Sequence, residues 1–191
     1  GESAFGHCNG LTSVLIPPSL IITGNSPYAR CSGVSEFKVD PANLAFSSVN
    51  GIWFDKSGIK LIQYPAGKAG SYAIPPSVRN IGGGAFYGCS KLTGVTIPGG
   101  ISSIEDWTFH SCTSLTEVTI PSGVTSIGKM AFIQCSGLTR AKFQGNAPTM
   151  GMSVFGGAAP NFTIQYRKGS SGFTSPKWSD YPAVEIETGA K

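Results

Sequence analysis

Apolar side chains recur along this chain at a fixed interval. Leu92, Val95, Ile97 and Pro98 return 23 residues later as Leu115, Val118, Ile120 and Pro121, and the set appears earlier as Leu11, Val14, Ile16 and Pro17. The same ruler runs through Cys8 and Cys31 and through Cys89, Cys112 and Cys135. Phe5, Tyr28, Phe86, Phe109 and Phe132 each stand three residues before one of those cysteines, and Phe155 stands three before Ala158. Within a repeat, Val95 and Ile97 alternate with Thr96, the period-2 pattern of a half-buried strand. Pro98 has no N–H to give to a ladder, so the strand ends there. Ile101 and Ile104, matched by Val124 and Ile127, then return the chain across the core on its opposite face. The Ala-Phe-x-x-Cys segment that follows reads as a short helical turn with Phe and Cys inward.

A period of this length, with apolar residues spaced L-x-x-L-x-L, is the signature of a leucine-rich-repeat solenoid, in which each unit buries its apolar edge only by stacking on its neighbours. The expected fold is mainly β with little helix: a right-handed solenoid of 23-residue repeats with parallel strands on the concave face. Seven rungs are legible, at residues 11–17, 34–40, 71–75, 92–98, 115–121, 138–144 and 161–167. At about 4.8 Å per rung they build a sheet of roughly 29 Å. Between Cys31 and Cys89 the interval is 58 residues, 12 more than two repeats. The excess falls at about residues 46–65, where β-rich runs flank Asp55-Lys56-Ser57-Gly58 and predict a β-hairpin. Residues 1–167 are therefore the solenoid, and residues 168–191, with Trp178, Tyr181, Val184 and Ile186, are its C-terminal cap. At the other end Leu11, Val14 and Ile16 form a rung without a polar cap. That edge is expected to fray or to self-associate.

Composition narrows the function classes. With 40% hydrophobic and 13% charged residues, the 191-residue chain has the means to bury a core, and 26 Gly with 13 Pro match a fold of many turns. The net charge of +4 is spread over sparse positions with no Lys/Arg block, so nucleic acid is not an expected partner. No apolar run is long enough for a membrane span.

Leu115 through Cys135 closely resembles the repeat of BspA-like, treponemal-type leucine-rich-repeat proteins of bacteria, L-T-x-V-x-I-P-x-x-V-x-x-I-G-x-x-A-F-x-x-C. The insertion from Ser47 to Lys68 and the tail from Gly172 to Pro182 resemble segments of that family as well. The departures are Glu105 in place of the Gly after Ile104, Asp40 in place of the Pro after Val39, and Tyr28 in place of Phe. The resemblance implies a secreted or surface-exposed bacterial protein and a role in adhesion, with a host matrix protein or a bacterial surface protein as ligand.

All five cysteines occupy one repeat position, an inward column better suited to buried free thiols than to facing pairs. They lack the clustered spacing of a metal site. His7 and His110 have no partner to orient an imidazole and read as surface variation. Glu36 and Glu117 share a strand position three rungs apart, roughly 14 Å at the spacing of a sheet. Glycoside hydrolysis uses carboxylates about 5 to 9.5 Å apart, so an enzyme is the least favoured reading, and no cofactor or metal is expected. Ser13, Glu36, Ser71, Gly94, Glu117, Arg140 and Thr163 form one outward column, and Leu15, Lys38, Ala73, Thr96, Thr119, Lys142 and Gln165 the other. Among them Glu36, Lys38, Thr96, Glu117, Thr119, Arg140, Lys142 and Gln165 are the candidate contacts for a protein ligand, joined by Trp53 on the hairpin and Trp107 in a variable repeat position. A structural spacer within a larger surface protein is the alternative.

Overall fold

The computed structural model describes residues 3–187, and every regular element within them is a β-strand. Strands account for about 31% of the structure and wind through about eight turns. The parallel pair β1 (Ser13–Ile16) and β2 (Glu36–Val39) comes first. An antiparallel meander follows: β3 (Phe46–Val49), β4 (Ile52–Asp55) and β5 (Lys60–Gln63). Beyond β6 (Gly70–Ala73), the short β7 (Asn80–Ile81) pairs in parallel with β5, and β8 (Leu92–Thr96) pairs in parallel with β6.

From there the chain alternates regularly between two sheets. The two-residue strands β9 (Ser103–Ile104), β11 (Ser126–Ile127) and β13 (Thr149–Met150) form one, which is the expected return across the core. The other holds β10 (Glu117–Ile120), β12 (Arg140–Phe143), β14 (Thr163–Arg167) and β16 (Tyr181–Ile186) in parallel, closed by the antiparallel β15 (Lys177–Trp178). The Ala-Phe-x-x-Cys segments are hydrogen-bonded turns, not helices.

Those turns hold the core together. Phe86, Phe109, Phe132 and Phe155 stack in a column with centroids 4.8, 5.0 and 5.3 Å apart, all buried. Each aromatic N–H donates to the next repeat, as from Phe86 to Thr108 O at 2.8 Å and from Phe109 to Ala131 O at 2.7 Å. From Cys31 onward the cysteine Sγ lies against the aromatic carbonyl of the preceding turn: Cys31 to Phe5 O at 3.0 Å, Cys112 to Phe86 O at 3.2 Å, Cys135 to Phe109 O at 3.1 Å. The shared cysteine position is thus a seam of weak S–H···O contacts between rungs. All five thiols are free, and burial raises those of Cys31 and Cys112 above the ordinary range.

The insertion contains the expected hairpin, β4 and β5 on either side of Asp55-Lys56-Ser57-Gly58, and extends it: with β3 it is a three-stranded meander whose central strand is β4, standing inside the solenoid as a wall between two hydrophobic cores. Ile52, Phe54 and Leu61 face the larger core, while Trp53 and Ile62 face the smaller one with Val14, Ile16, Cys31, Val34, Phe37 and Phe46. Strands buried on both faces lose the apolar/polar alternation, which is why Ile52-Trp53-Phe54 reads as one apolar run. Trp53 is therefore no surface contact: it is 1% exposed, with Phe37 at 5.6 Å and Phe46 at 5.3 Å between centroids.

Tyr64 takes the place of the missing ladder aromatic. It stacks on Phe86 at 5.1 Å, donates its N–H to Ala85 O at 2.8 Å, and its carbonyl faces Cys89 Sγ at 3.9 Å. Tyr28, one rung earlier, finds no backbone carbonyl at the corresponding place, and its N–H donates instead to Oε1 of the buried Gln63 at 3.1 Å. The tail also does more than cover the last rung. β16 adds a further parallel rung, with Ala183 beside Ile164 and Val184 beside Gln165. Residues 1–2 and 188–191, included in the sequence boundaries drawn above, lie outside the described residues.

Candidate functional site

The two outward columns align as the spacing predicts. Ser13 pairs with Glu36 and Leu15 with Lys38; Ser71 pairs with Gly94 and Ala73 with Thr96. Glu117 pairs with Arg140 and Thr119 with Lys142, and these continue to Thr163 and Gln165. A strand period of two puts both columns on one side of the sheet. The structure divides the strand-face candidates into three groups: Glu36 and Lys38 lie on the β1–β2 pair, which the meander follows, Thr96 lies on the β6–β8 pair, and Thr119, Glu117, Arg140, Lys142 and Gln165 share the unbroken ladder.

The charges on this face are matched to one another. Glu117 bridges two rungs, accepting from Arg140 at 2.9 Å and from Lys142 at 2.7 Å. The Lys142 ammonium, seconded by the Arg140 guanidinium, holds the Glu117 carboxyl below the usual carboxylate range. Lys38 pairs with Glu36 on its own strand at 2.9 Å. Thr96 is exposed and Thr119 and Gln165 half-buried. Across β10, β12 and β14 these columns are polar and without aromatic rings.

Aromatic character lies instead on the turn edge. Two positions per repeat, five residues and one residue before the cysteine position, take a left-handed backbone: Ser26 and Arg30, Trp107 and Ser111, Met130 and Gln134, among others. Trp107 is half-buried. Lys129 Nζ lies 4.6 Å from its ring centroid, and its Nε1 donates to Met130 Sδ at 3.4 Å. Beside it, Arg30 reaches across two rungs to Ser111 Oγ at 2.9 Å and Gln134 Oε1 at 3.3 Å, and its guanidinium lies over Tyr87 at 5.2 Å. Gly88 makes this possible: a Cβ there would meet Arg30 Cγ at 2.6 Å. His110 stacks on Tyr87 at 4.3 Å, and burial, reinforced by the Arg30 charge, lowers its pKa to about 4.

His110 is thus a packed, neutral ring in place of the expected surface variation, and sequence reasoning missed Arg30 and Tyr87 altogether. The available signal was Gly88, where His7, Arg30, Ser111 and Gln134 stand in the repeats around it. Among the described residues no group of three or more His, Cys, Asp or Glu is placed to hold a metal ion. No helix among them is long and apolar enough to cross a membrane.

Comparison with known proteins places this geometry among repeat proteins. A family described as "BspA type Leucine rich repeat region" matches residues 1–70 and 66–169, in six copies. No curated protein matches the chain. Among solved structures, a leucine-rich repeat protein from Eubacterium ventriosum superposes with a TM-score of 0.73 at 23% identity, over 82% of this chain and 42% of that one. The pneumococcal vaccine antigen PcpA gives 0.63 at 21% identity, over 82% and 45%. A leucine rich cell surface protein from Faecalibacterium prausnitzii gives 0.62 at 24%, over 84% and 49%. The chain thus spans less than half the length of each of these relatives, and at these identities the likeness is one of fold.

Proposed function

The chain belongs to the BspA-type leucine-rich-repeat family, and on that premise we propose that it is a non-enzymatic binding module of a secreted or cell-surface bacterial protein, making adhesive protein–protein contacts through its strand face. One observation carries this reading. The ladder β10–β12–β14–β16 presents Glu117, Arg140, Lys142, Thr119 and Gln165 in fixed register, with the three charged side chains already held by ion pairs. Side chains ordered before contact lose less conformational freedom on binding. The partner is a protein ligand such as a host matrix or bacterial surface protein. The described surface-protein and antigen relatives support the extracellular setting.

Replacing Glu117, Arg140 and Lys142 together by alanine tests it. Capture on immobilised host matrix and bacterial surface proteins should fall while the fold, read by circular dichroism, stays intact. A second reading, a structural spacer, draws on the same ion pairs: charges that satisfy one another leave little for a partner. It predicts unchanged capture in the triple variant. Self-association through β1 is a further contact mode, since β1 has one strand neighbour among the described residues and Leu15 on it is 67% exposed. Sedimentation over a range of concentrations reads it directly.

A further inference from the structure

Three departures from the repeat pattern meet at one place on the turn edge. Glu105 stands where the repeat otherwise has glycine, Trp107 occupies the left-handed position five residues before Cys112, and Gly84 occupies the same position one repeat earlier. Between β7 and β9 the second sheet is interrupted, so the two strands belong to separate sheets. At that interruption a groove of about 440 Å³ runs between Tyr87 and Trp107 over Gly83 and Gly84, with Asn25 and Ser26 on its rim. It continues past Asn25 and Gly83 into a second compartment of about 280 Å³ bordered by Lys60, Asn80 and Glu105. The volumes fall within or near the range of about 300–1,000 Å³ typical of ligand sites.

We propose that this groove binds a neutral oligosaccharide. Trp107 offers a flat apolar wall for the C–H face of a pyranose unit, while Tyr87, stacked on His110 and overlain by Arg30, closes the side of the groove. Trp107 is held before any ligand arrives, by Lys129 on its ring and by Met130 Sδ at its Nε1. Glycine on the floor lets a sugar approach the backbone, since at Gly84 (φ +64°) a Cβ would meet Ser26 Cβ at 2.8 Å and narrow the groove. The rim supplies amide, hydroxyl, carboxylate and ammonium groups for hydroxyls to bond; Lys60 is offset by Glu105 and Lys129 by Asp106, and Arg30 is engaged by Ser111 and Gln134, so the groove has no cluster of like charge and suits an uncharged glycan. The site is separate from the strand face, which has no aromatic ring.

The full chain is titrated with N-acetylchitotriose, maltotriose and lactose, followed by tryptophan fluorescence and calorimetry. Trp53 and Trp178 are buried, so Trp107 dominates a ligand-induced change. At least one saccharide should saturate. Trp107→Ala should weaken it by about tenfold, the scale of one lost aromatic contact. Glu105→Gly, which restores the residue usual at that repeat position, should weaken it as well. Both variants should keep the thermal melt and the protein capture of the wild type, and the strand-face triple variant should keep saccharide binding, so the two proposals fail separately. Absence of saturation by all three sugars, or binding unchanged in Trp107→Ala, overturns the proposal. So does saturation by a Ser/Asn-rich peptide in place of the sugars.

Discussion

The larger and smaller cores are made of the same repeat, yet their outermost layers are finished differently. In the larger core the column from Tyr64 to Phe155 is buried throughout, and its far end is covered edge-on by Tyr181, 5.4 Å from Phe155. In the smaller core Phe5 stacks on Tyr28 at 5.1 Å but stays 53% exposed, and Trp53 Nε1 is buried without a hydrogen-bond partner. Similar repeats are therefore expected to differ in stability, because a solenoid repeat derives most of its stability from its neighbours. The meander limits how far one core supports the other.

Phe109→Ala should have the largest effect. The ring lies between Phe86 and Phe132, and a buried Phe-to-Ala truncation costs about 3–5 kcal/mol. Phe5→Ala, at the half-exposed end of the other column, should cost under about 1.5 kcal/mol. Urea unfolding followed by circular dichroism measures both. Equal losses would mean that the two cores form one cooperative unit.

Gln63→Ala comes next, because it acts at the join. It strips the Tyr28 N–H of its acceptor and Ser26 of a neighbour at 3.4 Å, and a buried amide left unsatisfied costs about 1–3 kcal/mol. Hydrogen exchange should accelerate over β1 and β2 and stay unchanged over β12 and β14. Uniform acceleration would show that the wall transmits the damage.

How much of this was readable beforehand depends on which neighbours a residue has. Val118, Ile120 and Leu115 meet the same surroundings in every repeat, so their period alone assigns them to the core, and the register of Glu117, Arg140 and Lys142 follows from it. Gln63, Tyr64 and Trp53 meet surroundings found once in the chain. Gln63 reads only as one residue of a β-rich run until the absent carbonyl opposite Tyr28 is seen, and Trp53 reads as an exposed hairpin aromatic until β4 is found buried on both faces. The Arg30 contacts with Ser111 and Gln134 were hidden for the same reason, since the inserted residues hide how directly the two turn edges meet.

A smaller effect belongs to that turn edge. In the folded chain His110 has a pKa of about 4 against an ordinary 6.5, so between those values the unfolded chain binds a proton that the folded chain refuses. Its contribution makes stability fall as pH drops from 6.5 toward 4 and adds no pH dependence above 6.5. Arg30→Ala removes one of the two causes and should raise the His110 midpoint, which the imidazole NMR shifts follow. An unmoved midpoint would assign the depression to burial alone.

The least expected change in stability is at the face proposed to bind. Glu117 has a lowered pKa, held there first by Lys142 and then by Arg140, so its contribution is present above the ordinary carboxylate value and disappears as pH falls through the lowered one. The three side chains are 37–44% exposed, and pairs so close to solvent contribute only about 0–1 kcal/mol, less in high salt. Glu117→Gln should therefore shift the urea midpoint slightly at pH 7, scarcely in molar salt, and progressively less as pH falls through the lowered pKa. A loss of capture in the triple variant, set against so small a change in stability, assigns the three side chains to contact with a partner. A large stability loss would instead make them struts of the ladder.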